Sequence, residues 1–538
     1  MYKFTAMGGF VENDLQDEMV RPSFRLFSID SFILTFTNKT IMIKFFKVLF
    51  FILFIANFIF NLAQAQSNSI YDIVLTGGRV IDPETNLDAI RNIGIRNNRI
   101  VQISLEPLQG KEVIDVSGLV VAPGFIDLHI HGRSNAEQEY QLHDGVTTAL
   151  ELEWGIEHLG TWYESRKGKS LINFGASVCW PFERFKAFDK YKQAASDLRQ
   201  KTSKGESGIG ILMDAVGPAM KENQTAEEMA KTVSNLKTAL AEGGVGIGVP
   251  IGYLPTSKPS EMYNVFKLAG ELDALVFTHV RHANIISIQE VISDAILSGA
   301  PLHIVHINSI SLGQIQFALD MVNDAKKRGF DISTELYPYT AGSTMLQSAM
   351  FDEGWQAEKG ISYADIQWVK TGERLTKETF EKYRKEGGAV IAHVMKPEWI
   401  KTGIAAPGVM IASDGMAYSK LAHPRTAGTF SRVLGKYVRE DKVIDLNTAI
   451  EKMTLQPAKR LENIAPMMRF KGRIQVGADA DITIFNPNTV IDKATFEKGL
   501  EFSAGIEYVL VNGVFVLKNG KTVTTAFPGQ PVYGKYKQ

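Results

Sequence analysis

At 538 residues the chain is too long for one ordinary hydrophobic core, so two or more domains are expected. Hydrophobic residues make up 45% and charged residues 22%, the balance of a folded globular protein, which excludes a wholly disordered chain. Lys and Arg number 58 against 59 Asp and Glu, which gives no basis for a nucleic-acid or anionic-membrane partner, and a single cysteine, Cys179, leaves no intramolecular disulfide.

The first feature in chain order is an apolar run over 48–60, VLFFILFIANFIF, preceded by Lys44 and Lys47 and followed by Ala63-Gln64-Ala65. Basic flank, apolar centre and small-x-small site are the parts of a secretory signal. The run is short for a membrane span, and polar residues follow at once. Residues 1–41 read as a non-native leader upstream of a start at Met42, 42–65 as the signal, and Gln66 as the first mature residue. A secreted or periplasmic protein with no stable membrane anchor after cleavage is expected.

From Tyr71 to Val121 short β-type runs alternate with turn signals, Gly77-Gly78 and Asn97-Asn98 standing where hairpin turns are expected. The same texture returns near the C-terminus in ADITIFNP and IEYVLVNGVFVLKNGKTV. Residues 66–122 and 474–538 are therefore expected to build one small β domain. Between them, over 123–473, runs such as FIDLHIH, GVTTALELE, LVFTHV, PLHIVHI, FDISTELYPYT and GVMIASDG alternate with helical stretches. Repeated β-then-α units predict an α/β fold, a parallel (β/α)8 TIM-like barrel. The segment 345–388 exceeds what a barrel connection needs and reads as an insertion covering the barrel mouth.

His129 and His131 are two apart on a predicted strand and leave the same face, half of a metal site. His279 closes LVFTH, His306 closes LHIVH and Asp414 follows VMIAS, each at the carboxyl end of an apolar strand, where barrel enzymes carry their functional groups. Five metal-capable groups at equivalent ends converge on one mouth. On GVTTALELE the period of two puts Glu151 and Glu153 on one face as well.

The segments APGFIDLHIHG, GVTTAL, GVGIGVPIGY, THVRH, YPYTAGST, SDG and HPRTAGTFSRVLGKYVRE resemble the N-acyl-D-amino-acid deacylases (D-aminoacylases) of the amidohydrolase superfamily. The resemblance spans about Tyr71 to Gly534 and implies the barrel together with a small β-sandwich domain formed from both ends of the mature chain. It makes His129, His131, His279, His306 and Asp414 the metal-site group for one or two divalent ions, zinc being expected. Asp414 would also carry the proton as metal-activated hydroxide attacks the amide of an N-acyl amino acid, and Arg425, Tyr339 and Ser343 would grip the substrate carboxylate. Two positions depart from the family: its cysteine after GVTT is Trp154 here, and its lysine after the fourth histidine is Asn308. Glu153 is the expected replacement ligand, with Glu151 as its support or alternative. Other activities on the same metal site (a cyclic amidase, a dihydroorotase-like enzyme or a dipeptidase) and a catalytically inactive binding protein are the rival readings.

The remaining histidines take plainer assignments. His143 is expected to cap a turn, His158 to lie on the surface and His303 to be structural, on the strand face opposite His306. His282 stands open between a supporting role and none, His393 is a weak candidate for the mouth, and His423, just before Pro424-Arg425 in the family motif, is expected to have an orienting role.

Overall fold

The structure is a computed structural model and describes residues 47–55, 70–206, 208–416 and 422–538. It divides into two compact units, residues 1–69 and Ile70–Gln538. In the first, 47–55 are helical; the expected leader and cleavage site lie outside the described residues. Among the described residues no helix is long and apolar enough to cross a membrane.

The second unit opens with β1 (Tyr71–Asp82), β2 (Leu87–Arg96), β3 (Arg99–Ser104), β4 (Gly110–Asp115) and β5 (Val120–Pro123). Asn97, at φ 53°, makes the tight β2–β3 turn, a left-handed position that Asn tolerates. Gly77-Gly78, read above as a hairpin turn, is instead a bulge inside β1. There the register with β2 shifts between Leu75 and Gly78, and Asn92 Oδ1 accepts from Thr76 Oγ1 and Gly77 N.

The barrel follows: β6 (Phe125–Asp127), β7 (Val146–Ile156), β8 (Asn173–Cys179), β9 (Ile247–Pro250), β10 (Val276–His279), β11 (Leu302–Ile304) and β12 (Ile332–Leu336). Three further strands, β13 (Gly342–Met345), β14 (Ile366–Trp368) and β15 (Ala389–Ala392), then form a separate small antiparallel sheet before β16 (Val409–Ile411) rejoins the barrel. The eight barrel strands pair in parallel in the order β16-β12-β11-β10-β9-β8-β7-β6. The ring closes just past β6 and β16, where Ile130 pairs with Gly415 and His131 N donates to Gly415 O. Asp127 Oδ1, deep in that seam, accepts from Ser413 N at 3.0 Å.

Outer helices seat apolar stripes on this ring. Helix Ile315–Lys327 buries Ile315, Ala318, Leu319, Val322 and Ala325, a spacing of three and four that makes one face of an α-helix. The chain returns to the first sheet through β17 (Ile482–Phe485), β18 (Ile506–Val511), β19 (Val514–Lys518) and β20 (Lys521–Thr522), giving the order β20-β19-β18-β17-β5-β1-β2-β3 with β4 beside β1. This sheet wraps its own core of Leu75, Ile93, Ile100, Val121, Ile482 and Leu510, the β-sandwich expected from both termini. β5 runs into β6 through Gly124 alone, where a Cβ would meet Thr147 at 2.1 Å.

Candidate metal centre

The functional side chains stand at the carboxyl ends of the barrel strands, where the backbone leaves the ladder and side chains turn toward the axis. His129 and His131 lie just past β6, Glu151 and Glu153 on the long β7, and His279 at the last residue of β10. His306 and Asp414, beyond β11 and β16, both adopt left-handed backbone, φ 33° and 52°. That conformation is costly for a residue with a Cβ and concentrates at functional sites.

All seven of these side chains are buried. Glu153 is the centre of the arrangement. Its Oε2 is 3.2 Å from both His129 Nε2 and His131 Nε2, while its Oε1 is 2.8 Å from His279 Nδ1 and 3.3 Å from His306 Nε2. Asp414 Oδ1 completes the first half, 3.3 Å from His131 Nε2 and 3.6 Å from His129 Nε2. One carboxylate thus divides its two oxygens between two pairs of imidazoles. Trp154 packs on Tyr253 instead, with ring centroids 5.0 Å apart.

The outward nitrogens are already engaged. His129 Nδ1 meets Glu335 Oε1 at 2.6 Å, His131 Nδ1 meets Glu151 at 3.0 Å, and His306 Nδ1 meets Ser309 Oγ at 3.1 Å. A carboxylate behind an imidazole, holding its far nitrogen, is the support that metal-ligating histidines carry. The spacing fits too. Two ligands about 2.1 Å from a tetrahedral ion stand about 3.4 Å apart, and the first half of the cluster holds its atoms at 3.2–3.6 Å. These residues fit a divalent cation.

Electrostatics follow from the same crowding. Burial alone would lower the His129 pKa, but Asp414, Glu335 and Glu153 outweigh it and push it up to about 10. Burial pulls against ionisation of Asp414, yet Arg425 and His129 hold it well below the usual carboxylate range. Without a cation His129 and His131 take up protons to balance the carboxylates; a cation would replace those protons.

The cluster opens on a cavity, partly open to solvent, lined among others by Tyr253, Tyr337, Ser343 and Arg425. Residues of the 345–388 segment, Met350, Phe351 and Lys359, form part of its wall. Arg425 is 1% exposed, its Nη1 2.8 Å from Asp414 Oδ2, its guanidinium 4.5 Å above the Tyr337 ring. Its Nε and Nη1 have no well-aligned hydrogen-bond acceptor among the described residues.

The sequence from residue 120 to 516 matches the model of the amidohydrolase family. The chain belongs to that family. Among characterised amidohydrolases it is 30% identical over 497 residues to a D-aminoacylase of Alcaligenes xylosoxydans xylosoxydans, covering 87% of this chain and 98% of that one. A crystal structure of D-aminoacylase superposes with a TM-score of 0.70 at 26% identity, covering 86% and 100% of the two chains. An N-acyl-D-glutamate deacylase from Bordetella bronchiseptica, solved with zinc and a phosphonate inhibitor, shares the fold at a TM-score of 0.71 and 24% identity, over 86% and 100%.

Within this amidohydrolase several side chains stand elsewhere than the sequence implied. Tyr339 gives its hydroxyl to Asp492 Oδ2 at 3.1 Å under the Arg432 guanidinium, and Tyr337 lines the cavity in its place. Ser343 lines the cavity, but its Oγ donates to Val390 O and it is its carbonyl that faces Arg425, at 3.4 Å. His303 is buried inside the ring, bonding Glu335 and Ser333, one step behind His129. His158 is half-buried against Phe182, with Nε2 on Ala195 O. His143 stacks on Phe502, His393 bonds Gln367, and His282 is exposed. His423 accepts from Arg425 N at 3.1 Å and donates to Ala341 O, bracing the start of the arginine's helix. Glu335 escaped sequence reading; it is the one acid of the strand ISTEL, between Thr334 and Leu336.

Proposed function

We propose that this protein is a metal-dependent deacylase that hydrolyses the amide bond of N-acyl-D-amino acids. The observation that carries the reading is one cavity holding both a supported donor cluster and a buried arginine whose Nε and Nη1 have no aligned acceptor. His129, His131, His279, His306, Glu153 and Asp414 would hold one or two divalent ions, zinc suiting their nitrogen and oxygen donors. When bound, such a cation acidifies a coordinated water and polarises a carbonyl.

The chain's own residues supply the rest. Arg425 can take the substrate α-carboxylate on two parallel hydrogen bonds, setting the adjacent amide over the cluster. Asp414 holds and moves the proton, taken from water at Oδ1 and returned to the leaving amine. Its Oδ2 touches Arg425 at 2.8 Å, so a carboxylate arriving on Arg425 shares that positive charge and makes Asp414 a stronger base as substrate binds. Glu151 and Glu335 fix the imidazole tautomers. A cyclic amide without a free carboxylate gives Arg425 nothing to hold, which disfavours the cyclic-amidase alternative for such substrates. Residues 66–122 and 474–538 are read as one β domain beside a barrel over 123–473, and 42–65 as the export signal of a periplasmic or secreted enzyme.

Metal analysis of the purified protein beside a panel of N-acetyl-D- and N-acetyl-L-amino acids tests this. Chelation should abolish turnover and metal restore it, with the D-series preferred. Full activity in metal-free protein, or no turnover of any N-acyl amino acid with metal, would end the proposal.

A further inference from the structure

Much of the cavity lining is apolar: Ile310, Leu312, Met350, Phe351 and Val394. Arg425 apart, a second fixed cation interrupts it. Lys359, the last residue of the short helix Trp355–Lys359 in the inserted segment, lines the cavity with a side chain only 9% exposed. It also borders a smaller cleft beside Arg281 and His282, so it stands on the wall between the two.

Its charge is poorly answered from within the protein. Glu358 Oε1 is 3.9 Å away, beyond hydrogen-bond distance, and is already committed to Ala283 N at 3.1 Å. Among the described residues no acceptor lies within hydrogen-bond reach of the Lys359 Nζ. Burial, only partly offset by Glu358, holds the ammonium below the ordinary lysine range. An ammonium in an apolar wall is expensive unless an anion meets it. Position 308, where the resemblance expects a lysine, offers nothing here: Asn308 gives its amide to Tyr337 O and Met395 Sδ.

We propose that Lys359 binds a second carboxylate of the substrate, so that dianionic N-acyl-D-amino acids are the preferred class. This rests on the deacylase reading, with Arg425 taking the α-carboxylate. The second carboxylate has two chemical sources, an acidic side chain such as that of D-glutamate or a dicarboxylic acyl group such as succinyl. The apolar lining accommodates the remaining chain in either case.

The test compares kcat/KM within two isosteric pairs on the full, metal-loaded protein: N-acetyl-D-glutamate against N-acetyl-D-glutamine, and N-succinyl-D-leucine against its succinamoyl counterpart. A charged hydrogen bond at a buried site predicts a preference of roughly 10–100-fold for the acid in at least one pair. The first pair assigns the charge to the side chain, the second to the acyl group. Lys359→Met should collapse that ratio toward one, chiefly through KM, while Lys359→Arg keeps most of it. Because each ratio is taken within one preparation, incomplete folding cancels. A wild-type ratio near one in both pairs, or a ratio that survives Lys359→Met, overturns the assignment of Lys359 and leaves the deacylase reading standing. Absence of turnover with every N-acyl-D-amino acid sinks both.

Discussion

Glu335 offers a sharp test of the site because it touches the chemistry only through His129. Its Oε1 stands 2.6 Å from His129 Nδ1 and its Oε2 3.2 Å from His303 Nε2, with the side chain 1% exposed. Burial resists its charge, but His129 and His303 hold it ionised, with a pKa of about 2. A charge-assisted hydrogen bond contributes about 1.5–3 kcal/mol and a neutral one about 0.5–1.5 kcal/mol. Glu335→Gln keeps the shape and an acceptor oxygen but loses the charge. The difference, about 1–1.5 kcal/mol, should weaken metal binding roughly 5–13-fold. Glu335→Leu also leaves the imidazole N–H unpaired, and there the loss should reach about 10–100-fold. Competition against a chromophoric chelator measures both, with Tm of the metal-free protein recorded alongside. Should metal affinity stay unchanged while the metal-free Tm falls, Glu335 merely braces the barrel and the argument fails.

Other outcomes follow from the same geometry. Glu153→Gln removes the shared anion of both halves of the cluster; breaking a buried ionic network costs about 3–5 kcal/mol, so bound metal measured by elemental analysis should fall sharply. Glu151→Gln, which disturbs only the support of His131, should lower affinity less. Arg425→Lys keeps charge but not the fork, and kcat/KM for N-acyl-D-amino acids should drop about 30-fold or more, roughly 2 kcal/mol, at unchanged metal content. Metal affinity should rise with pH. His129, pushed up to about 10 by its carboxylate neighbours, carries a proton in the metal-free protein that the ion must displace, so affinity falls on acidification by up to about tenfold per pH unit for each displaced proton. Chelator competition between pH 6 and 8 that finds a flat profile would refute this.

The gathering of four histidines with Glu153 and Asp414 was legible because it rests on two short-range rules. Strands alternate faces, which pairs His129 with His131 and Glu151 with Glu153, and parallel strands in a barrel present their carboxyl ends together. Where the chain leaves regular structure those rules stop. Tyr337 and Tyr339 share one period but flank Pro338 beyond the end of β12, and Asp492, more than a hundred residues later, captures the second. Gly77-Gly78 carries the composition of a turn, but whether a glycine pair bends the chain or bulges a strand depends on what pairs beside it, here Asn92 on β2. Lys359 could not be located at all from sequence. It sits in a segment whose core, with Trp355 stacked on Phe380, exists only once that segment has folded.

The seam between β6 and β16 has a consequence for how the barrel is assembled. Asp127 and Ser413 meet there across 286 positions, so joining first strand to last costs about 5 kcal/mol of loop entropy if nothing between them is yet ordered. The pairs that close the ring are few, yet His129 and His131 on one side and Asp414 on the other flank them directly. An ion gripped by all three would act as a rivet through the overlap of a hoop, tying catalytic competence to circumferential integrity. A chain that has not closed its ring has no complete first half of the site, and so cannot hold its ion tightly while half-built.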